Sequence, residues 1–281
     1  MRHPVPVIVL AVALAFTPAG VAAADSGLPP GENDARQALD KSPRHGEFID
    51  IKLSGADKPL HAWVVYPERK DKAPVVIVIH EIFGLSDWIR GLADRLAADG
   101  FIAVAPDLLS GKGPAGGGTD SVGTRDDVVK LIRTLTHDEV SARLDAVREW
   151  AGKVPSGNGR LATIGFCWGG GVSFGYAAAT PSVGAAVVYY GTSPESDALS
   201  GIKAPVLGLY GGDDARVTAT IEPAAVQMKK LGKTYEVEIY DGAGHGFLRD
   251  QAGHDGGNLK ATQKAWPRTI EFLRKQLGEG R

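Results

Sequence analysis

The chain has 281 residues, 43% of them hydrophobic and 23% charged, with a formal net charge of -2. That composition is globular, and the length allows a full core within one domain. Acids and bases are mixed along the chain, and no basic patch or arginine-rich run points to a nucleic-acid partner.

The first 24 residues read as a secretory signal. Arg2 and His3 precede an apolar run over 7–16, and a small-residue stretch ends in Ala22-Ala23-Ala24. This order predicts cleavage after Ala24 and a periplasmic or secreted protein. The apolar run is shorter than the ~20 residues that span a bilayer. No cysteine stands near the cleavage site to carry a lipid, so no membrane anchor is expected. Residues 25–45 are polar, with Pro29-Pro30-Gly31 and Lys41-Ser42-Pro43. They read as a mobile leader with one helical turn near 35–39.

A single domain is expected over 46–281. Stretches 48–53 and 60–66 alternate apolar and polar residues, the pattern of antiparallel edge strands. The unbroken β-branched run 75–79 predicts a strand buried on both faces, and 102–105 is a second buried strand. Between them 88–98 has helical spacing, with Ile89, Leu92 and Leu96 on one face and Gly100 as its stop. Further strands are expected at 161–166, 185–190, 206–210 and 235–240. Further helices are expected at 126–135, 139–151, 172–179, 224–231 and 261–277. Strands alternating with helices imply an α/β protein whose mostly parallel central sheet carries helices on both faces. The glycine-rich stretch 111–118 follows a strand, at the carboxyl edge where ligands bind in such sheets.

The only cysteine, Cys167, cannot form an intramolecular disulfide. It lies in Gly165-Phe166-Cys167-Trp168-Gly169, a G-x-C-x-G pattern between an apolar strand and a small-residue helix. This is the nucleophile elbow of α/β-hydrolases with cysteine in place of serine. The helix N-terminus favours a thiolate, and the Trp168 amide can donate to an oxyanion. Asp213-Asp214 and His245 follow the next strands but one and two, in the order nucleophile, acid, histidine. Asp214 is preferred over Asp213, because the first acid more often belongs to the turn. His80-Glu81-Ile82-Phe83-Gly84 fails the H-E-x-x-H zinc pattern. Its place after a buried strand suits the second half of an oxyanion hole, with the Ile82 amide as donor and Glu81 toward Cys167. His80 reads as structural. The remaining histidines form no metal-spaced group, and no metal or organic cofactor is expected.

Together with Tyr189-Tyr190-Gly191 and Gly244-His245-Gly246-Phe247, these motifs resemble the dienelactone hydrolase family over about 48–277. The resemblance implies a single-domain α/β-hydrolase fold, a Cys167–Asp214–His245 triad, and Glu81 in contact with the resting thiol. It also implies two arginines that hold a substrate carboxylate, matching Arg249 and, more loosely, Arg125. The expected substrate is then a small ester or lactone, and the two arginines suit an anionic one. The protein is expected to be a monomer. The aromatic residues that the family places on its lid helix have no counterpart near Asp127 to Lys130, and 111–118 is expected to alter the pocket rim. A broader esterase or thioesterase of the same fold is the alternative, and a noncatalytic secreted binding protein a more distant one.

Overall fold

The computed structural model describes residues 27–278, so the signal expected over 1–24 lies outside them. A 3₁₀ turn at Glu32–Asp34 leads into α1 (Ala35–Lys41), followed by β1 (Gly46–Ile51), β2 (Leu60–Val65) and β3 (Ala73–Ile79). Then come α2 (Asp87–Ala98), β4 (Ile102–Pro106), α3 (Arg125–Ile132), α4 (His137–Ala151) and β5 (Gly157–Phe166). The rest is α5 (Trp168–Ala179), β6 (Ala185–Tyr189), β7 (Val206–Gly211), α6 (Ala215–Thr218), α7 (Ile221–Lys230), β8 (Tyr235–Tyr240) and α8 (Gly257–Leu277).

The strands form one sheet in the order β1-β2-β4-β3-β5-β6-β7-β8. β1 and β2 are antiparallel, as their alternating pattern predicts, but only β1 is an edge strand: β2 is paired on both sides and runs antiparallel to β4 as well; the other pairings are parallel. β3 explains its own unbroken apolar run. Val76 and Val78 face a core with Leu92, Leu96 and Trp266, while Val75, Ile77 and Ile79 face another with Leu144, Val147 and Phe174. Each such buried side chain is worth about 1.5–3 kcal/mol over an exposed one. A strand with both faces buried therefore favours an unbroken apolar run.

Two loop expectations change. The segment read as a mobile leader is docked from Leu28 onward. Trp88 Nε1 donates to Pro30 O at 3.1 Å, Gln251 Nε2 donates to Pro29 O at 3.0 Å, and Ala35 is fully buried against α2. Arg44 and Ser42 both bond Asp94 on α2. These partners lie far along the chain, so polar local composition does not reveal them. The glycine-rich 111–118 does follow β4, but it folds back on that strand. Asp107 accepts from Leu109 N at 3.0 Å and from both Thr119 N and Thr119 Oγ1 at 2.7 Å. Thr119 Oγ1 in turn accepts from Leu85 N at 3.1 Å.

Candidate active site

β5 ends at Phe166, and Cys167 then adopts φ 55°, ψ -118° before α5 begins. For a residue with a side chain this backbone costs on the order of 1–3 kcal/mol and persists only where its surroundings hold it. Cys167 N donates to Tyr189 O at 3.0 Å, and Gly170 N donates to Cys167 O at 3.0 Å. A Cβ on Gly170 would lie 2.7 Å from Tyr189 O, and one on Gly165 would run into the Gly169 carbonyl. The glycine spacing is thus a steric demand of the turn. The run Gly169-Gly170-Gly171 hides the start of α5, which opens at Trp168 rather than 172.

The next elements bring the acid and base together. Asp214 caps α6 after β7 and is buried, and its Oδ2 lies 2.5 Å from His245 Nδ1. Asp213 instead faces His254, 3.3 Å away, in an exposed pair. Geometry therefore selects Asp214 as the partner of His245. The bond at Nδ1 leaves Nε2 as the ring's other functional nitrogen. Tyr190, at the end of β6 with φ 40°, packs its ring 5.2 Å from that of His245.

The loop after β3 closes on the sulfur. His80 is fully buried; Leu108 N donates to its Nε2 at 3.2 Å, so its Nδ1 donates to Glu81 O at 2.7 Å. That histidine is a structural strut. The backbone groups of Trp168 and Ile82 both hydrogen-bond the Cys167 sulfur and favour its thiolate, as does the charge of Arg216. Burial and then Glu81 work against them and win, pushing the thiol up to about 11. Glu81, itself buried, is pushed up to about 7 by desolvation, against the pull of Arg249. The resting cysteine is therefore a neutral thiol at pH 7.

A test follows from that balance. Below pH 7 Glu81 is protonated and exerts no repulsion; above it the carboxylate suppresses the thiolate. Glu81→Gln should match the wild type in iodoacetamide alkylation near pH 6 and outpace it several-fold above pH 8. Parallel rate–pH curves would leave Glu81 no electrostatic hold on the sulfur.

Cys167 opens into a cleft of about 480 Å³ lined by Ile82, Trp168, Tyr190, Ser193, His137 and Arg216, among others. The Tyr190 hydroxyl is buried and has no hydrogen-bond partner among the described residues. No residue of 111–118 lines this cleft. Among the described residues no group of three or more His, Cys, Asp or Glu side chains is placed to hold a metal.

Residues 60–277 match the family model for the dienelactone hydrolase family. The chain belongs to the dienelactone hydrolase family. It is 33% identical over 244 residues to the "Putative carboxymethylenebutenolidase" of Salmonella typhimurium, covering 83% of this chain and 88% of that one. It is 30% identical to the carboxymethylenebutenolidase of Pseudomonas putida, covering 79% of this chain and 94% of that one. The solved "Putative Dienelactone Hydrolase" of Klebsiella pneumoniae subsp. pneumoniae superposes with a TM-score of 0.70 at 31% identity, over 81% of this chain and 97% of that one. The fold is thus that of an α/β-hydrolase, and the protein is a hydrolase of lactone or ester bonds.

Within this dienelactone hydrolase fold, Arg249 and Arg125 do come together, but not in the lining of the cleft. Both guanidinium groups lie over the ring of Phe83, at 3.5 Å for Arg125 and 5.3 Å for Arg249. Arg249 Nε is 2.9 Å from Glu81 Oε2, an ion pair without the alignment of a full hydrogen bond. Arg249 Nη1 also meets Glu32 Oε2, and Arg125 Nη1 lies 2.8 Å from Glu32 Oε1. Glu32 and Arg216 are the two residues that sequence reasoning missed. Arg216 stands two residues past Asp214, in the short helix that Asp214 caps. Nothing in the local sequence marks Glu32.

Proposed function

We propose that this protein hydrolyses a small ester or lactone with Cys167 as nucleophile, His245 as general base and acid, and Asp214 as the group that fixes the imidazole. The observations that support this reading are the sulfur on its strained elbow, hydrogen-bonded by the backbone groups of Trp168 and Ile82, and the His245–Asp214 pair, whose imidazole packs on Tyr190, a residue that lines the same cleft as Cys167. The thiol gives its proton to His245 Nε2, and the sulfur attacks the carbonyl carbon. The two amides hold the oxyanion. Collapse forms a thioester and expels the alcohol oxygen, which takes the proton from His245. For a lactone that alcohol stays tethered in the same molecule. Water then loses a proton to His245, attacks the thioester and releases the carboxylic acid, restoring the thiol. Burial, with the Glu81 carboxylate second, keeps the resting thiol neutral.

Intact-mass spectrometry of the enzyme mixed with a slow nitrophenyl ester tests the scheme. The expected result is one acyl increment, mapped to Cys167 and lost with hydroxylamine. An increment on any serine would refute it.

The protein is proposed to act outside the cytoplasm, on the support of the charged, apolar and A-x-A order at its start. N-terminal sequencing of exported protein should begin at Asp25. Retention of residues 7–16 in that product would contradict export by cleavage.

A further inference from the structure

The Arg249–Arg125 pair has the chemistry of an anion site. Two guanidinium groups converge, and each offers a fork of N–H donors suited to a carboxylate. The site lies near the reacting sulfur. Ile82 gives its backbone to Cys167, and Phe83, the next residue, carries both guanidiniums over its ring.

A carboxylate already occupies the pair, and it belongs to the chain itself. Glu32 divides its two oxygens, one to each arginine. Its backbone is fixed as well: Glu32 N donates to the carbonyl of Arg249 at 2.9 Å. The flanking bonds to Pro29 O and Pro30 O hold the same turn against Gln251 and Trp88. A tethered carboxylate acts at an effective concentration of order millimolar or more, ahead of a dilute free anion. By contrast Arg216, on the cleft wall, has no ion-pair partner among the described residues, so the internal anion is specific to the Phe83 pair.

We propose that Glu32 is a specificity-determining residue that fills the Arg249–Arg125 anion site from within, so that the enzyme favours neutral esters and lactones over those bearing a carboxylate. The substrate preference rests on the hydrolase reading above; the occupancy of the site does not.

Two measurements on the full mature chain test this. The first is calorimetric titration with glutarate of wild type, Glu32→Gln and Glu32→Gln/Arg125→Gln. Glutarate should bind Glu32→Gln about ten- to a hundredfold more tightly than the other two, the range expected when a charge-assisted contact is gained. The second is the ratio of kcat/KM for mono-4-nitrophenyl glutarate over 4-nitrophenyl butyrate. That ratio should rise at least tenfold in Glu32→Gln and fall back in the double variant. Asp34→Asn, an acidic neighbour in the same turn, should leave it as in wild type. Equal glutarate affinity in wild type and Glu32→Gln would overturn the proposal. So would a rise in the ratio that Asp34→Asn reproduces or that survives Arg125→Gln, since it would reflect surface charge alone. Absence of ester turnover in every chain would instead defeat the hydrolase reading, and the glutarate titration would still decide whether Glu32 fills the site.

Discussion

Cys167→Ala removes ester and lactone hydrolysis to the limit of detection while the protein stays folded. The sulfur is the atom that forms the covalent bond, and methyl in its place has no lone pair for the carbonyl carbon. The fold should tolerate the change. Alanine keeps the Cβ, so the elbow backbone at φ 55° is no more strained than with cysteine. The lost sulfur is only partly buried, so destabilisation should be near 1 kcal/mol. Turnover of a chromogenic ester, beside a thermal melt of the same preparation, reads both halves. A folded Cys167→Ala protein with substantial activity would end the assignment of the nucleophile. Cys167→Ser should recover only a trace, because a hydroxyl gives up its proton far less readily than a thiol.

Asp214→Asn should lower kcat by about a thousandfold or more, with KM changed little. The carboxylate accepts from His245 Nδ1 at 2.5 Å, which keeps the proton on that nitrogen and leaves Nε2 free to take one. An asparagine amide can donate instead and hold the ring in the opposite tautomer, which disables the base; the matching change in a serine-protease triad costs about 10⁴. Asp213→Asn is the control. Its side chain is exposed and pairs with His254, so its effect should stay within about twofold. Similar losses from both variants would mean that the fields of the acids matter, rather than one oriented bond.

Much of this architecture is legible because burial writes a strong local pattern. β3 and β4 sit between two helix layers, and no polar residue fits there, so their runs stand out. The elbow is legible for a different reason: its backbone crossing tolerates no side chain at Gly165 or Gly170. Helix starts were harder. α8 begins at Gly257, after the left-handed Gly256, so its first turn looks like loop sequence. The least legible feature is the N-terminal segment. Pro29-Pro30-Gly31-Glu32 has the composition of a tether, and what fixes it is Trp88 on α2 and the Arg249–Gln251 turn. The arginines show the same limit from the other side. Matching motifs placed them near the site, but a motif does not record which carboxylate each one meets.

The bond between Glu32 and Arg249 joins positions 217 residues apart. Contacts so distant in sequence carry the largest loop-closure entropy, which makes them late events in folding. β3 to β8 and their helices can assemble from near neighbours in the sheet, whereas the N-terminal turn has nothing to dock on until α2 and the loop after β8 are both in place. Topology thus assigns this segment the role of a clasp: the catalytic edge is built first, and the chain's own beginning fastens over its guanidinium pair afterwards.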